Sequence, residues 1–255
     1  MKLTAADAGY AIGAAELLHG ISLDINPGEL IIAVGPNGAG KSTMMKLLSG
    51  EIFPSLGQVA IDGIDLKQWQ LRKLARIMAV LPQQSELNFP FRVHEVVSLG
   101  RIPHATGRHR DLEIVEELLV KLDINHLAQR DFTTLSGGEK QRTQIARILA
   151  QIWDHQQGTF ILLDEPTSSL DLAHQQATLK MIKELTAAGA GVFVILHDMN
   201  LAAQFADRLV LLHRGGIVSD GDPWSVLSQE NIKRVFDLDV SIISHPERNR
   251  PLIIA

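Results

Sequence analysis

The chain has no cysteine, one tyrosine and only 5% aromatic residues. Without thiols there are no disulfides and no thiolate metal centres, which fits a reducing compartment and places the chain in the cytoplasm. Long apolar runs are lacking as well. Phe160 to Leu163 and Val192 to Leu196 have the length of strands, far short of the roughly 20 residues that span a bilayer. The opening Met1-Lys2-Leu3-Thr4-Ala5-Ala6-Asp7 has no sustained apolar segment behind its lysine, so it does not read as a secretory signal. Positive charge is not in excess either: 24 Lys and Arg stand against 29 Asp and Glu, a formal net charge of −5. Such a chain offers a phosphate backbone no general attraction, and nucleic acid is not an expected partner. Arg101, Arg108 and Arg110 gather near His104 and His109, a group that reads as a solvated loop.

What is present is an ordinary globular composition, 45% hydrophobic and 21% charged over 255 residues. That suffices for one substantial core in a chain near the upper size of a single domain. Ile21-Ser22-Leu23-Asp24-Ile25-Asn26 alternates and then turns at Pro27-Gly28, as a half-buried antiparallel strand does. Leu30-Ile31-Ile32-Ala33-Val34, Phe160-Ile161-Leu162-Leu163 and Val192-Phe193-Val194-Ile195-Leu196 are unbroken apolar runs with helical stretches between them. Strands buried on both faces of a parallel α/β sheet have this texture. From about residue 84 to 145 strand runs vanish, and Ile114, Val115, Leu118, Leu119 and Leu122 repeat at helical spacing, predicting an inserted helical lobe. The expected organisation is one domain over 1–255, its core at about 1–83 and 146–255 and its helical subdomain at about 84–145.

Gly35-Pro36-Asn37-Gly38-Ala39-Gly40-Lys41-Ser42-Thr43 fits G-x-x-x-x-G-K-[ST] between the strand ending at Val34 and a helical run from Lys41, the context this motif requires. Its glycines turn backbone N–H groups inward around a phosphate, and the following helix points its positive end at the same anion. Lys41 would bridge the β- and γ-phosphates, and the Ser42 hydroxyl would ligate Mg²⁺. Alone, the motif says only that a nucleoside triphosphate binds. Phe160 to Leu163 runs into Asp164-Glu165, which puts two acids at a strand's carboxyl end, where α/β ligand sites form. Asp164 suits a Mg²⁺ partner and Glu165 can polarise an attacking water. Acids also cap strands without catalysing anything.

Leu135-Ser136-Gly137-Gly138-Glu139 narrows the field. Ser136 and Glu139 have capping-box spacing, and the helix start they mark presents N–H donors to an anion. With the two preceding motifs in order, this stretch resembles the signature of the ATP-binding-cassette (ABC) ATPases. Gln83 in Leu81-Pro82-Gln83, the turn Ser168-Ser169-Leu170-Asp171 and His197 after the strand to Leu196 complete the pattern. The resemblance implies an α/β fold: a P-loop NTPase (RecA-like) core with a mostly parallel sheet, an N-terminal antiparallel β subdomain and an inserted α-helical subdomain. It implies ATP and Mg²⁺ as cofactors, with Ser42, Gln83 and Asp164 around the metal, and Lys41, Gln83, Glu165 and His197 in hydrolysis. It also implies that Ser136, Gly137 and Gly138 grip the γ-phosphate held by a second copy. Asp171 then crosses the dimer interface, His197 contacts the γ-phosphate, Tyr10 stacks on adenine, and either Gln83 or Gln84 is the sensor. Apart from the resemblance, a lone histidine at a strand end is usually structural, and Tyr10 could equally be an ordinary ring of a hairpin.

A cassette without fused membrane helices resembles the importers. There it works as a homodimer under two permease subunits, at the cytoplasmic face of the inner membrane, served by a periplasmic substrate-binding protein. The segment after Gln83, with Pro90 and Phe91, is where a permease helix would dock. Leu81-Pro82-Gln83-Gln84, Gly100-Arg101 before Pro103-His104, and Leu170-Asp171-Leu172 before His174-Gln175-Gln176 are similar to the subfamily serving iron chelates, haem and cobalamin. The polar stretch Gln151 to Gly158 most resembles the haemin importers, with siderophore or cobalamin import as the alternative cargo. The ten histidines are scattered, and haem ligation by this chain is not expected. A cytosolic cassette acting in repair or translation is the competing function. Those proteins carry two cassettes or a long coiled coil, and this chain has neither.

Overall fold

The computed structural model describes residues 1–83, 89–154 and 157–254. Gln84 therefore lies outside the described residues, as does the middle of the 151–158 stretch.

The chain begins with a long hairpin, β1 (Leu3–Ile12) and β2 (Ala15–Ile25), antiparallel with register shifts at Ala5 to Ala11. The fully buried β3 (Leu30–Val34) follows, then α1 (Lys41–Ser49). Next come β4 (Leu56–Ile61), β5 (Ile64–Asp65), the single turn α2 (Leu71–Leu74) and β6 (Met78–Leu81). Three helices come next: α3 (Val93–Ser98), α4 (Arg108–Lys121) and α5 (Gly137–Ala150). The core resumes with β7 (Phe160–Asp164), α6 (Leu172–Ala187), β8 (Gly191–Ile195) and α7 (Met199–Phe205). β9 (Arg208–His213), β10 (Gly216–Gly221), α8 (Pro223–Val226) and α9 (Gln229–Phe236) continue it, and a terminal hairpin of β11 (Ser241–Ser244) and β12 (Pro251–Ile254) ends it.

Two sheets organise these elements. The first is antiparallel, in the order β2-β1-β4-β5. The second runs β10-β9-β3-β8-β7-β6 and is parallel except for the edge strand β10. Because side chains alternate along a strand, the three apolar runs send alternate residues to opposite faces. Ile31, Ala33, Phe160, Leu162, Phe193 and Ile195 bury against α1 and the antiparallel sheet. Leu30, Ile32, Ile161, Leu163, Val192 and Val194 share a second core with the helices on the other side. This is the mixed, mostly parallel α/β architecture expected. Among the described residues no strand forms between β6 and β7, and α5 carries the helical run to Ala150, beyond the expected edge near 145.

The arginine group read as a solvated loop is partly a buried one. Arg101 is 4% exposed. Its guanidinium donates to Asp111 Oδ1 at 2.8 Å, Thr106 Oγ1 at 2.9 Å, Asp154 Oδ2 at 2.7 Å and the Ala150 carbonyl at 2.6 Å. Arg110 reaches the other oxygen of Asp154 at 2.8 Å. The charges offset each other, which is the condition for burying an arginine, and Asp154, from the stretch before β7, is part of the counter-charge. Arg108 and His109 are exposed as read.

Candidate active site

In the order β3-β8-β7-β6 four parallel strands point the same way, so the residues after them emerge side by side at one edge. After β3 comes the phosphate loop, after β8 His197, after β7 Glu165, and after β6 Gln83. Segments up to about 160 residues apart in sequence thus meet because of strand order alone.

The loop wraps tightly. A side chain at Gly35 would put its Cβ 2.3 Å from the Leu212 carbonyl oxygen, so only glycine lets the loop pass β9. Lys41, 7% exposed, folds its ammonium back and donates to the carbonyls of Gly35 at 2.8 Å and Pro36 at 2.9 Å. A cleft of about 470 Å³ opens here, lined by Asn37 to Thr43 with Leu17, Gln83, Glu165 and His197. Burial lowers the Lys41 pKa, and the negative charge of Glu165 and Asp164 pulls it back only in part.

Asp164 is 2% exposed. Burial pushes its carboxyl above the ordinary aspartate range, against the hydroxyl of Ser42 and with the help of the Glu165 charge. Its Oδ1 is buried with no hydrogen-bond partner. Glu165 adopts a left-handed backbone, φ 50°, a conformation a non-glycine residue holds only when its surroundings dictate it. Its Oε1 accepts from Gln83 Nε2 at 3.0 Å and lies against His197 Nε2, which donates to it. The Gln141 amide donates to the Glu165 carbonyl at 3.4 Å. Gln83 and His197 therefore converge on one carboxylate oxygen of Glu165 at the phosphate cleft. Among the described residues no group of three or more His, Asp or Glu could hold a metal unaided. The lone unpaired oxygen of Asp164 beside Ser42 suits a hard cation that takes its other ligands from phosphates and water.

Ser136, Gly137, Gly138 and Asp171 lie elsewhere. Ser136 caps α5 in a closed capping box, its N–H donating to Glu139 Oε2 at 2.7 Å and its hydroxyl to the same oxygen at 2.8 Å. These bonds hold the Glu139 carboxyl below its ordinary pKa, the Ser136 backbone bond contributing most. A Cβ on Gly138 would sit 3.1 Å from the Ser169 carbonyl oxygen, so the glycine lets the helix start lie close on the turn that carries Asp171. Asp171 caps α6, accepting from the His174 N–H at 2.9 Å and meeting His174 Nδ1 at 2.8 Å. These residues line a second cleft of about 480 Å³ with Arg142, and its lining shares no residue with the first.

Of the residues singled out in the sequence, Asn37 to Thr43, Gln83, Glu165 and His197 meet at the first cleft, with Gly35 and Pro36 behind them holding Lys41. Tyr10 does not line that cleft. It sits on β1 opposite Leu18, half-buried against the core of the antiparallel sheet. Leu17, Gln141, Arg142 and His174 were not anticipated. Leu17 is an exposed leucine in an alternating strand, and that misplaced exposure is detectable only once the strand's facing is known.

The ABC transporter profile matches residues 18–168, more than half of the chain. The chain belongs to the ABC transporter ATPase family. Among curated relatives of this cassette, the hemin import ATP-binding protein HmuV of Pseudomonas entomophila (strain L48) is 50% identical over 242 residues, covering 95% of each chain. That of Gloeobacter violaceus is 48% identical over 256 residues, covering 99% of this chain and 93% of the relative. Among solved structures, a metal-chelate type ABC transporter in an inward-facing conformation superposes with a TM-score of 0.81 at 28% identity, over 99% of this chain and 96% of that one. A dimeric bacterial ABC transporter cassette gives 0.76 at 28% identity, over 86% and 98%. The cassette binds ATP and hydrolyses it, and the cleft at the ends of β3, β8, β7 and β6 is where its phosphate loop and Glu165 meet, with Asp164 buried beside Ser42. Among the described residues, no helix is long and apolar enough to cross a membrane.

Proposed function

We propose that this ABC ATPase powers the import of haemin, acting as a homodimer at the cytoplasmic face of the inner membrane. Above it stand two permease subunits, supplied by a periplasmic substrate-binding protein. Relatives that carry the haemin-import name match along nearly the whole chain, which supports the cargo. The observation that carries the dimer is the pair of clefts with no residue in common. One holds the phosphate loop and acids, the other the capped serine-glycine turn and Asp171, and a head-to-tail pair brings each against its complement twice. The N–H groups at the start of α5 then close on the γ-phosphate held by the other copy.

In this reading Lys41 leaves the carbonyls of Gly35 and Pro36 for the β- and γ-phosphates, and the base reaches beyond the phosphate cleft to the half-exposed ring of Tyr10. Glu165 accepts the proton of the attacking water, held in place by Gln83 and His197. Asp164, Ser42 and Gln83 hold Mg²⁺, which when bound neutralises phosphate charge. Phosphate release removes the anion that joins the copies, and the pair opens. The permease docks beside Gln83, where Phe89 is 66% and Phe91 37% exposed.

The test is Glu165→Gln, an isosteric change that removes the proton acceptor. ATP binding stays, turnover falls by about 100-fold or more, and with ATP the variant elutes as a dimer by light scattering. A variant that turns over normally, or stays monomeric with saturating ATP, defeats this reading. With the permease co-reconstituted in vesicles, haemin rather than cobalamin or a ferric siderophore stimulates uptake. Uptake of either rival alone would replace haemin as the cargo and leave the motor reading intact.

A further inference from the structure

The hairpin of β11 and β12 lies beyond the residues matched by the family profile. Two strands alone are marginal in water, so this one needs a support. Its inner residues Pro251 and Ile253 are buried, and Ile253 joins the core of the helical side. Its outer backbone edge is met by a side chain. Asn200 accepts from the Ile253 N–H at 2.8 Å through Oδ1 and donates to the Ile253 carbonyl at 3.0 Å through Nδ2. One amide side chain thus fills both positions that a neighbouring strand would occupy on β12.

Asn200 is the second residue of α7, a helix of seven residues, too short to be stable without tertiary support. Its start is fixed by Asp198, whose Oδ1 accepts from Leu201 N at 2.9 Å. Its far end is tied to α6 by the Gln204 and Gln176 amides, the Gln204 amide donating at 3.1 Å. Immediately before this start stands His197, whose ring touches Glu165. Held at Asn200 and Gln204, α7 has little freedom to slide, and the ring at its head shares that fixity.

We propose that Asn200 is a positioning residue for His197: by clamping α7 to the C-terminal hairpin it holds the imidazole against Glu165. The hairpin then serves ATP hydrolysis although it touches neither cleft described above. The proposal rests on the reading above in which His197 acts with Glu165 in hydrolysis.

Its test compares Asn200→Ala, which removes both hydrogen bonds, with Asn200→Asp, which has the same shape and keeps only the acceptor. Each is prepared as the full chain, with His197→Ala as reference. Steady-state ATPase, ATP affinity and the His197 ring signal in ¹⁵N-histidine-labelled protein are measured, the signal being assigned by its loss in His197→Ala. The expected result is a fall in kcat of about tenfold for Asn200→Ala, a smaller one for Asn200→Asp, ATP affinity within about twofold of the parent, and a shifted His197 signal in both. A purely structural role would lower thermal stability and leave the His197 signal and kcat of the folded Asn200→Asp protein unmoved, which overturns the proposal. Wild-type kcat in both Asn200 variants beside a slow His197→Ala overturns the positioning alone. Wild-type kcat in His197→Ala overturns the reading beneath it.

Discussion

Asp164 shows at the scale of one residue how a buried carboxylate works against stability. Its carboxyl is buried, one oxygen has no partner, and burial has raised its pKa above the ordinary 3.8. The folded chain therefore holds this proton more tightly than the unfolded one. In protein free of nucleotide and metal, stability then falls as pH rises from about that ordinary value through the raised one. Asp164→Asn removes the charge at constant shape. It melts at a higher temperature than the parent at neutral pH, with a margin that shrinks as the solution is acidified through the raised pKa. Its ATPase falls by about two orders of magnitude. Thermal scans across pH with parallel rate measurements check both, and a variant that melts lower at neutral pH contradicts the assignment. That Asp164 and Glu165 stand at a strand's carboxyl end was legible in the sequence, because an apolar run ends in two acids. The partners of Glu165 were legible only as members of a resemblance. That Gln83 and His197 share one oxygen of Glu165 follows from the order β3-β8-β7-β6, which no local pattern states.

At the scale of elements the strongest local signals gave the clearest reading. Leu30 to Val34 and Phe160 to Leu163 became strands buried on both faces, and the 3.6-residue spacing of Ile114 to Leu119 became α4. The terminal hairpin escaped notice because Ser241 to Ser244 is a short stretch whose partner lies across a loop and whose support is Asn200. Arg101 was misjudged for a related reason. A cluster of arginine and histidine looks solvated in sequence, whereas the acids that bury it come from Asp111, ten residues on, and Asp154, 53 residues on. This ion network ties the turn after α3 to α4 and to the end of α5. Burial pushes the carboxyls of Asp111 and Asp154 up, but hydrogen bonds from Thr106 and Arg101 to the first, and from Arg110 and Arg101 to the second, outweigh it and leave both below the ordinary value. Their contribution to stability is present above pH about 3.8 and is lost as pH falls through the lowered values. Arg101→Met takes one partner from each carboxylate, leaving Thr106 on Asp111 and Arg110 on Asp154, and costs about 2 kcal/mol. Urea denaturation at neutral pH measures this, and the gap to the parent narrows in acid. An unchanged midpoint would show the network to be incidental.

For the whole molecule the question is why a chain with every motif of a nucleotide site should hold them in two separate places. Within one copy, the capped turn at Ser136 and the phosphate loop line clefts without a shared residue, so one chain can bind ATP but cannot enclose it. The two-fold pair proposed above would resolve this with identical surfaces, each copy's turn meeting the other's loop. The arrangement makes a prediction that no monomeric mechanism shares. Lys41→Ala disables the loop, and Gly138→Asp drives a side chain toward Ser169, whose carbonyl is already 3.1 Å from a Cβ at that position. Each variant alone has both sites broken, one half at a time. When the two are mixed, a hybrid pair combines both defects in one site and leaves the other built from an intact loop and an intact turn. With random pairing half of the dimers are hybrids, so about a quarter of the sites recover. Nucleotide trapped by the mixed proteins rises to about that fraction of the wild-type amount, whereas each variant alone traps almost none. If mixing restores nothing while hybrids are shown to form by affinity pull-down, loop and turn act within one chain, and the head-to-tail pair is not the machine.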